Sequence, residues 1–87
     1  MNLDHVRYFL ETARHEHVGK ASRVLAVSPS TVSHAIAGLE ESFGVELFAR
    51  HGRRIVLTDG GRRLMRLGEE LLAHAADVHS RVAAEPD

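Results

Sequence analysis

Eighty-seven residues, 44% of them hydrophobic, suffice for one small domain with one modest core. The absence of cysteine excludes a disulfide framework and a thiolate zinc site. No apolar run approaches the roughly 20 residues that span a bilayer, and the N-terminus lacks the basic start and apolar block of a secretory signal, so a cytoplasmic protein without a membrane partner is expected. The net charge of −1 conceals a strong asymmetry. Residues 47–66 carry Arg50, Arg53, Arg54, Arg62, Arg63 and Arg66 against Asp59 alone, a net of +5, whereas 1–46 and 67–87 net −2 and −4. A polyanion responds to such a local patch rather than to the total.

Asn2 is a suitable cap for a first helix running to about Arg14, with Leu3, Val6, Phe9, Leu10 and Ala13 as its inward stripe. His15-Glu16-His17 interrupts the pattern and predicts a connector. A short second helix is expected from Val18 to about Leu25, burying Ala21, Val24 and Leu25. Leu25-Ala26-Val27-Ser28 then forms a tight turn. Two helices joined in this way, the second with a polar N-terminal face, make a helix-turn-helix.

The third helix is the most informative element. Ser28 can cap it, and Pro29 suits the first helical position, where its missing N–H costs nothing. Val32, Ile36, Leu39 and Phe43 predict a buried stripe. The opposite face presents Ser30, Ser33, His34 and Ala37, with Thr31 beside them and no carboxylate before Glu40. Short hydrogen-bonding groups at the positive end of a helix can approach a polyanion closely. The segment 29–42 is therefore a candidate recognition helix.

Gly44 should end that helix. Val45 to Arg50 and Ile55 to Leu57 are predicted strands, joined through an arginine-rich tip in which Gly52 can adopt positive φ. A hairpin of this kind beside a recognition helix is a wing, here centred on 50–54. Thr58 can cap a fourth helix that runs through Leu64, Leu67, Leu71, Leu72, Ala75, Val78 and Val82, and Glu85-Pro86-Asp87 reads as a frayed end or a linker. The fold class is thus mainly α with a small β-hairpin: a winged helix-turn-helix over 1–58, followed by a linker or dimerisation helix and its frayed end over 59–87.

The run from Ala21 to Ile36, Ala-Ser-Arg-Val-Leu-Ala-Val-Ser-Pro-Ser-Thr-Val-Ser-His-Ala-Ile, closely resembles the N-terminal domain of LysR-type transcriptional regulators. Leu39-Glu40-Glu41, then Gly44-Val45-Glu46-Leu47-Phe48-Ala49-Arg50, then Leu57-Thr58-Asp59-Gly60-Gly61 continue the likeness in order and at family spacing. The resemblance implies a bacterial winged helix-turn-helix that binds double-stranded DNA, with the fourth helix as linker and homodimer interface. It also implies a large effector-binding region in the whole protein, so that an effector ligand would act only through a part this chain does not include. Three positions depart from the family pattern. Ser22 stands where a second Ala is usual, His34 where Arg is commoner, and Gly60 where Ala is usual.

The candidate DNA contacts are Lys20 on the second helix, Ser28, Pro29, Ser30, Thr31, Ser33 and His34 at the recognition helix, and Arg50, Arg53 and Arg54 along the wing. Hydroxyls position more than they discriminate, and arginines at a wing tip supply affinity through phosphate or minor-groove contact. Arg50 has a second reading, bracing the wing by hydrogen bonds. Leu71, Ala75, Val78 and Val82 suit a partner helix, while Leu64 and Leu67 suit the monomer core.

Seven histidines include no cluster at ligand spacing: His15 and His17 are two apart, and His74 and His79 five apart. No metal, no cofactor and no enzymatic activity are expected, since no nucleophile–base–acid set emerges. The alternative function is a winged-helix module for protein–protein interaction, which would need an apolar patch on the recognition face.

Overall fold

The computed structural model describes residues 1–84; the frayed end expected at 85–87 lies outside the described residues. Helix α1 (Leu3–His15) starts where the Asn2 side chain accepts the N–H groups of Asp4 and His5, at 2.8 and 3.3 Å. Val6, Phe9, Leu10 and Ala13 face inward as their spacing requires, joined by Thr12, whose hydroxyl donates to the Tyr8 carbonyl at 2.9 Å. Leu3 is on the rim, exposed. The helix ends at Glu16, which takes a left-handed conformation with φ 51°.

Helix α2 (Val18–Leu25) buries Ala21 and Ser22 and leaves Leu25 half-buried. Val24, expected inside, is 61% exposed. The inward set is Val18, Ala21, Ser22 and Leu25, an i, i+3, i+4, i+7 pattern from which Val24 falls away. The Ser22 hydroxyl costs the interior nothing, because it donates to the Gly19 carbonyl at 2.8 Å. Ala26 then turns the chain at φ 58°, and Val27 donates its N–H to the Ser22 carbonyl at 3.1 Å. This is the crossed closure of a Schellman motif, with alanine in the place usually held by glycine.

Helix α3 (Pro29–Phe43) buries Val32, Ala35, Ile36 and Leu39 and stops at Gly44, whose φ is 72°. Phe43, at the end of the expected stripe, remains 42% exposed. Strands β1 (Phe48–His51) and β2 (Arg54–Leu57) form one antiparallel ladder, from Phe48 opposite Leu57 to His51 opposite Arg54, closed by Gly52-Arg53 with Gly52 at φ 65°.

The first strand begins at Phe48, three residues after the expected start at Val45. The cause is tertiary: the Leu47 side chain fills the core, its N–H donates to the Glu40 carboxylate at 2.8 Å, and its carbonyl accepts from Thr58 N–H at 3.0 Å. The Thr58 bond stays in register with the ladder, but Glu40 takes the Leu47 N–H that would return it, so the regular ladder begins at Phe48. The Phe9 and Phe48 rings, 5.3 Å apart and tilted by 47°, tie the wing to α1.

Helix α4 (Asp59–Ala83) starts at Thr58, whose hydroxyl accepts Gly61 N–H at 3.0 Å and donates to the Glu46 carbonyl. Gly61 sits against the Leu47 carbonyl, where a Cβ would clash with the backbone. The core gathers Val6, Phe9, Leu10, Ala13, Val32, Ile36, Leu39, Leu47 and Leu64. Two apolar stripes run along α4. Leu64, Gly68 and Leu72 face the core, and a Cβ at Gly68 would meet Val6 at 3.1 Å, so its absence lets α4 lie close to α1. Leu67, expected in the core, belongs to the second, outward stripe and is 49% exposed.

Candidate nucleic-acid interface

The outer face of α3 leaves Ser30, Ser33, His34, Ala37 and Gly38 exposed. Ser28 accepts the Thr31 N–H at 3.1 Å, and the two hydroxyl oxygens lie 2.9 Å apart. Ser28 and Thr31 therefore build the start of the helix, with Pro29 between them at the rim. Ser30, Ser33 and His34 make no side-chain hydrogen bond among the described residues and can turn to an outside partner.

Lys20, on the first turn of α2, is exposed. A shallow groove of about 190 Å³ joins the start of α2 to the recognition helix and the wing; Val18, Ser33, Ala37, Glu40, Arg50 and Ile55 are among its walls. The fold thus brings three separated segments onto one surface. Arg53 lies in the tip and Arg54 opens β2, both exposed. Arg50 also lines this groove, and it makes no hydrogen bond among the described residues that would brace the wing.

The ion pairs lie elsewhere. Arg7 pairs with Asp4 at 2.6 Å, Arg14 with Glu11 at 2.9 Å, Arg81 with Asp77 at 3.6 Å, and Arg62 with Asp59. Among the described residues, Lys20, Arg50, Arg53 and Arg54 have no acidic partner. Their charge is uncompensated locally and so directed at solvent or a polyanion. Glu40 is the acid closest to this surface in sequence, and its carboxylate is engaged by Leu47 N–H.

Two contributors are absent from the sequence reading. Glu40 acts as a bracket between α3 and the wing, and only the fold reveals that its partner is seven residues away. His17 caps α2, its Nδ1 accepting Lys20 N–H at 3.0 Å. A start at Val18 places residue 17 at the cap, but histidine is not among the residue types that signal one.

The second apolar stripe of α4 forms a separate surface. Leu71 and Ala75 are half-buried, while Val78 and Val82 are 46% and 80% exposed. At its N-terminal end, Leu67 joins Phe43 and Val45 around an apolar groove of about 250 Å³. Among the described residues there is no group of three or more His, Asp or Glu placed to hold a metal, and no helix is long and apolar enough to cross a membrane.

Comparison with known proteins adds independent information. The chain is 40% identical over 77 residues to the HTH-type transcriptional regulator XapR of Escherichia coli K12, which covers 88% of this chain and 26% of that protein. It is 40% identical over 79 residues to a probable hydrogen peroxide-inducible genes activator of Mycobacterium xenopi, covering 91% and 41% respectively. The chain therefore spans between about a quarter and two fifths of these relatives. Among solved structures, the BenM DNA-binding domain in complex with catB site 1 DNA superimposes with a TM-score of 0.89 at 28% identity, over 100% of both chains. Full-length CbnR in complex with its target DNA gives 0.90 at 27% identity, over 97% of this chain and 29% of that one. The pattern of the bacterial regulatory helix-turn-helix proteins of the lysR family matches residues 3–62, well over half of the sequence, and the chain belongs to that family.

Proposed function

We propose that this chain binds double-stranded DNA as a homodimer and serves as the DNA-reading part of a transcription regulator. One observation carries the reading. The hydroxyl- and histidine-bearing face of α3, the start of α2 and an arginine wing without acidic partners share one surface, where the carboxylate of Glu40 is taken up by Leu47 N–H. In the proposed docking, α3 enters the major groove with Ser30, Ser33 and His34 toward base edges and Pro29 against the duplex. Ser28 and Thr31 hold the helix start that delivers them. Lys20 contacts phosphate, and Arg50, Arg53 and Arg54 run along the backbone or into the minor groove. Similar chains solved in complex with DNA support this placement.

Leu71, Ala75, Val78 and Val82, continued by Leu67, form the proposed partner-facing stripe of α4. A two-fold dimer through that helix would set two recognition helices about 34 Å apart, one duplex turn, or a multiple of it. Control by an effector ligand is placed in the remainder of the whole protein. The protein–protein alternative is disfavoured, because the large exposed apolar side chains of α3 and α4 lie away from the recognition face.

Selection of bound duplexes from a random library, followed by titration at two salt concentrations, tests the reading. A two-half-site consensus with salt-dependent affinity is expected. No binding at low salt would exclude it.

A further inference from the structure

The cap of α2 fixes more than a helix end. His17 Nδ1 accepts the Lys20 N–H at 3.0 Å, and a nitrogen that accepts a hydrogen bond carries no proton. The neutral ring must then hold its proton on Nε2, so the cap selects the tautomer. The ring is also held in place from below. A Cβ on Gly19 would fall 2.8 Å from its Cε1 and 3.2 Å from its Nδ1, so the ring lies over the bare glycine and needs it bare. His17 is exposed, and its Nε2 makes no hydrogen bond among the described residues. Its chain neighbour Val18 walls the groove shared with Ser33, Ala37 and Arg50, which places His17 at the edge of the proposed DNA face beside Lys20.

We infer that His17 is a further DNA contact, its Nε2–H donating to a phosphate oxygen next to the one held by Lys20. The inference rests on the proposed DNA-binding reading. The same ring performs two tasks with its two nitrogens: one starts α2, and the other fastens that start to the duplex. Because the donor is neutral, it contributes position and a hydrogen bond without releasing a counterion.

His17→Asn separates the tasks. Asn is as good a helix cap as any residue, but it is too short to cap and reach outward together. The thermal midpoint should stay at or above that of the wild type, while affinity for the selected duplex and for an unrelated duplex should fall alike, by about three- to tenfold. The slope of affinity against salt should not change. Gly19→Ala should cause a similar loss by displacing the ring, yet no added loss when Asn already stands at 17, which ties both losses to the ring; a purely structural role would instead leave the affinity of the well-capped His17→Asn at the wild-type value. Wild-type affinity in His17→Asn would overturn the contact, as would a loss confined to one duplex sequence. Failure of the wild-type chain to bind any duplex would overturn this inference and the DNA-binding reading together.

Discussion

The Glu40 carboxylate receives the backbone N–H of Leu47 at 2.8 Å, across the turn that leads from the recognition helix to the wing. An acid next to a DNA-facing surface is unfavourable unless something occupies it. Here the occupant is the chain itself, and the bond sets the height of the wing against α3. Glu40→Ala should destabilise the fold by about 1.5–3 kcal/mol, the range for a hydrogen bond to a charged group. Glu40→Gln, which keeps a carbonyl acceptor, should lose distinctly less. Thermal denaturation of the two variants checks the order; equal losses would show that the charge, not the acceptor, matters.

Ala26 occupies the left-handed region at the turn of the helix-turn-helix, a conformation costly for any residue with a Cβ. Ala26→Gly should therefore stabilise the protein by about 0.5–1 kcal/mol, after allowing for the greater freedom of glycine in the unfolded chain. For a domain of this size that corresponds to a rise of about 2–8 °C in melting temperature. The reverse change at the end of α3, Gly44→Ala, imposes the same strain and should lower it. A fall for Ala26→Gly would contradict the account of the turn.

Gly61 answers a different need, closeness. With the Leu47 carbonyl and a Leu57 methyl where a Cβ would go, Gly61→Ala must push α4 off the wing, at a cost of about 1–3 kcal/mol or more. Gly44→Ala, with open space around it, should remain the milder of the two. Chemical denaturation of both variants ranks them.

Arg53, at the wing tip, should contribute affinity without sequence preference. Replacement by Ala should weaken binding to all duplexes similarly and lower the salt slope by about one. Lost discrimination with retained affinity would instead assign Arg53 to a base.

The outward stripe of α4 offers a direct test of the proposed dimer, helped by a sequence that contains no cysteine. Antiparallel pairing of the stripe, which runs from Leu67 to Val82, sets Glu69 at the level of Arg81 of the second copy. The middle of the stripe, Ala75, then lies near the two-fold axis. Oxidation of Ala75→Cys should give a covalent dimer, and Leu67→Cys should cross-link only when Val82→Cys is also present. A strong cross-link from Leu67→Cys alone would indicate a parallel arrangement.

Much of the architecture is legible in local chemistry. Asn2, Ser28 and Thr58 announce three helix starts, because a short oxygen-bearing side chain before an apolar stripe has few other uses. The exposure of Ser30, Ser33 and His34 follows from the same helical period that buries Val32 and Ile36. What escapes are features that depend on a distant partner. Val45 reads as strand, yet Glu40 claims the N–H of Leu47 and delays the ladder. Leu67 reads as core because one helix can carry two apolar stripes, and periodicity alone does not say which meets α1. His17 escapes for another reason: its capping role comes from a ring resting on Gly19, a shape that no residue preference records.

The junction around Thr58 has a mechanical consequence. Its hydroxyl grips the Glu46 carbonyl, its N–H grips Leu47, and Gly61 presses α4 against the same peptide, so wing and helix turn as one body. In a dimer joined along α4, each residue added between this junction and the partner contact would advance the second reading head by 1.5 Å and rotate it by about 100°. The distance between half-sites on the duplex is then written into the protein as an angular phase.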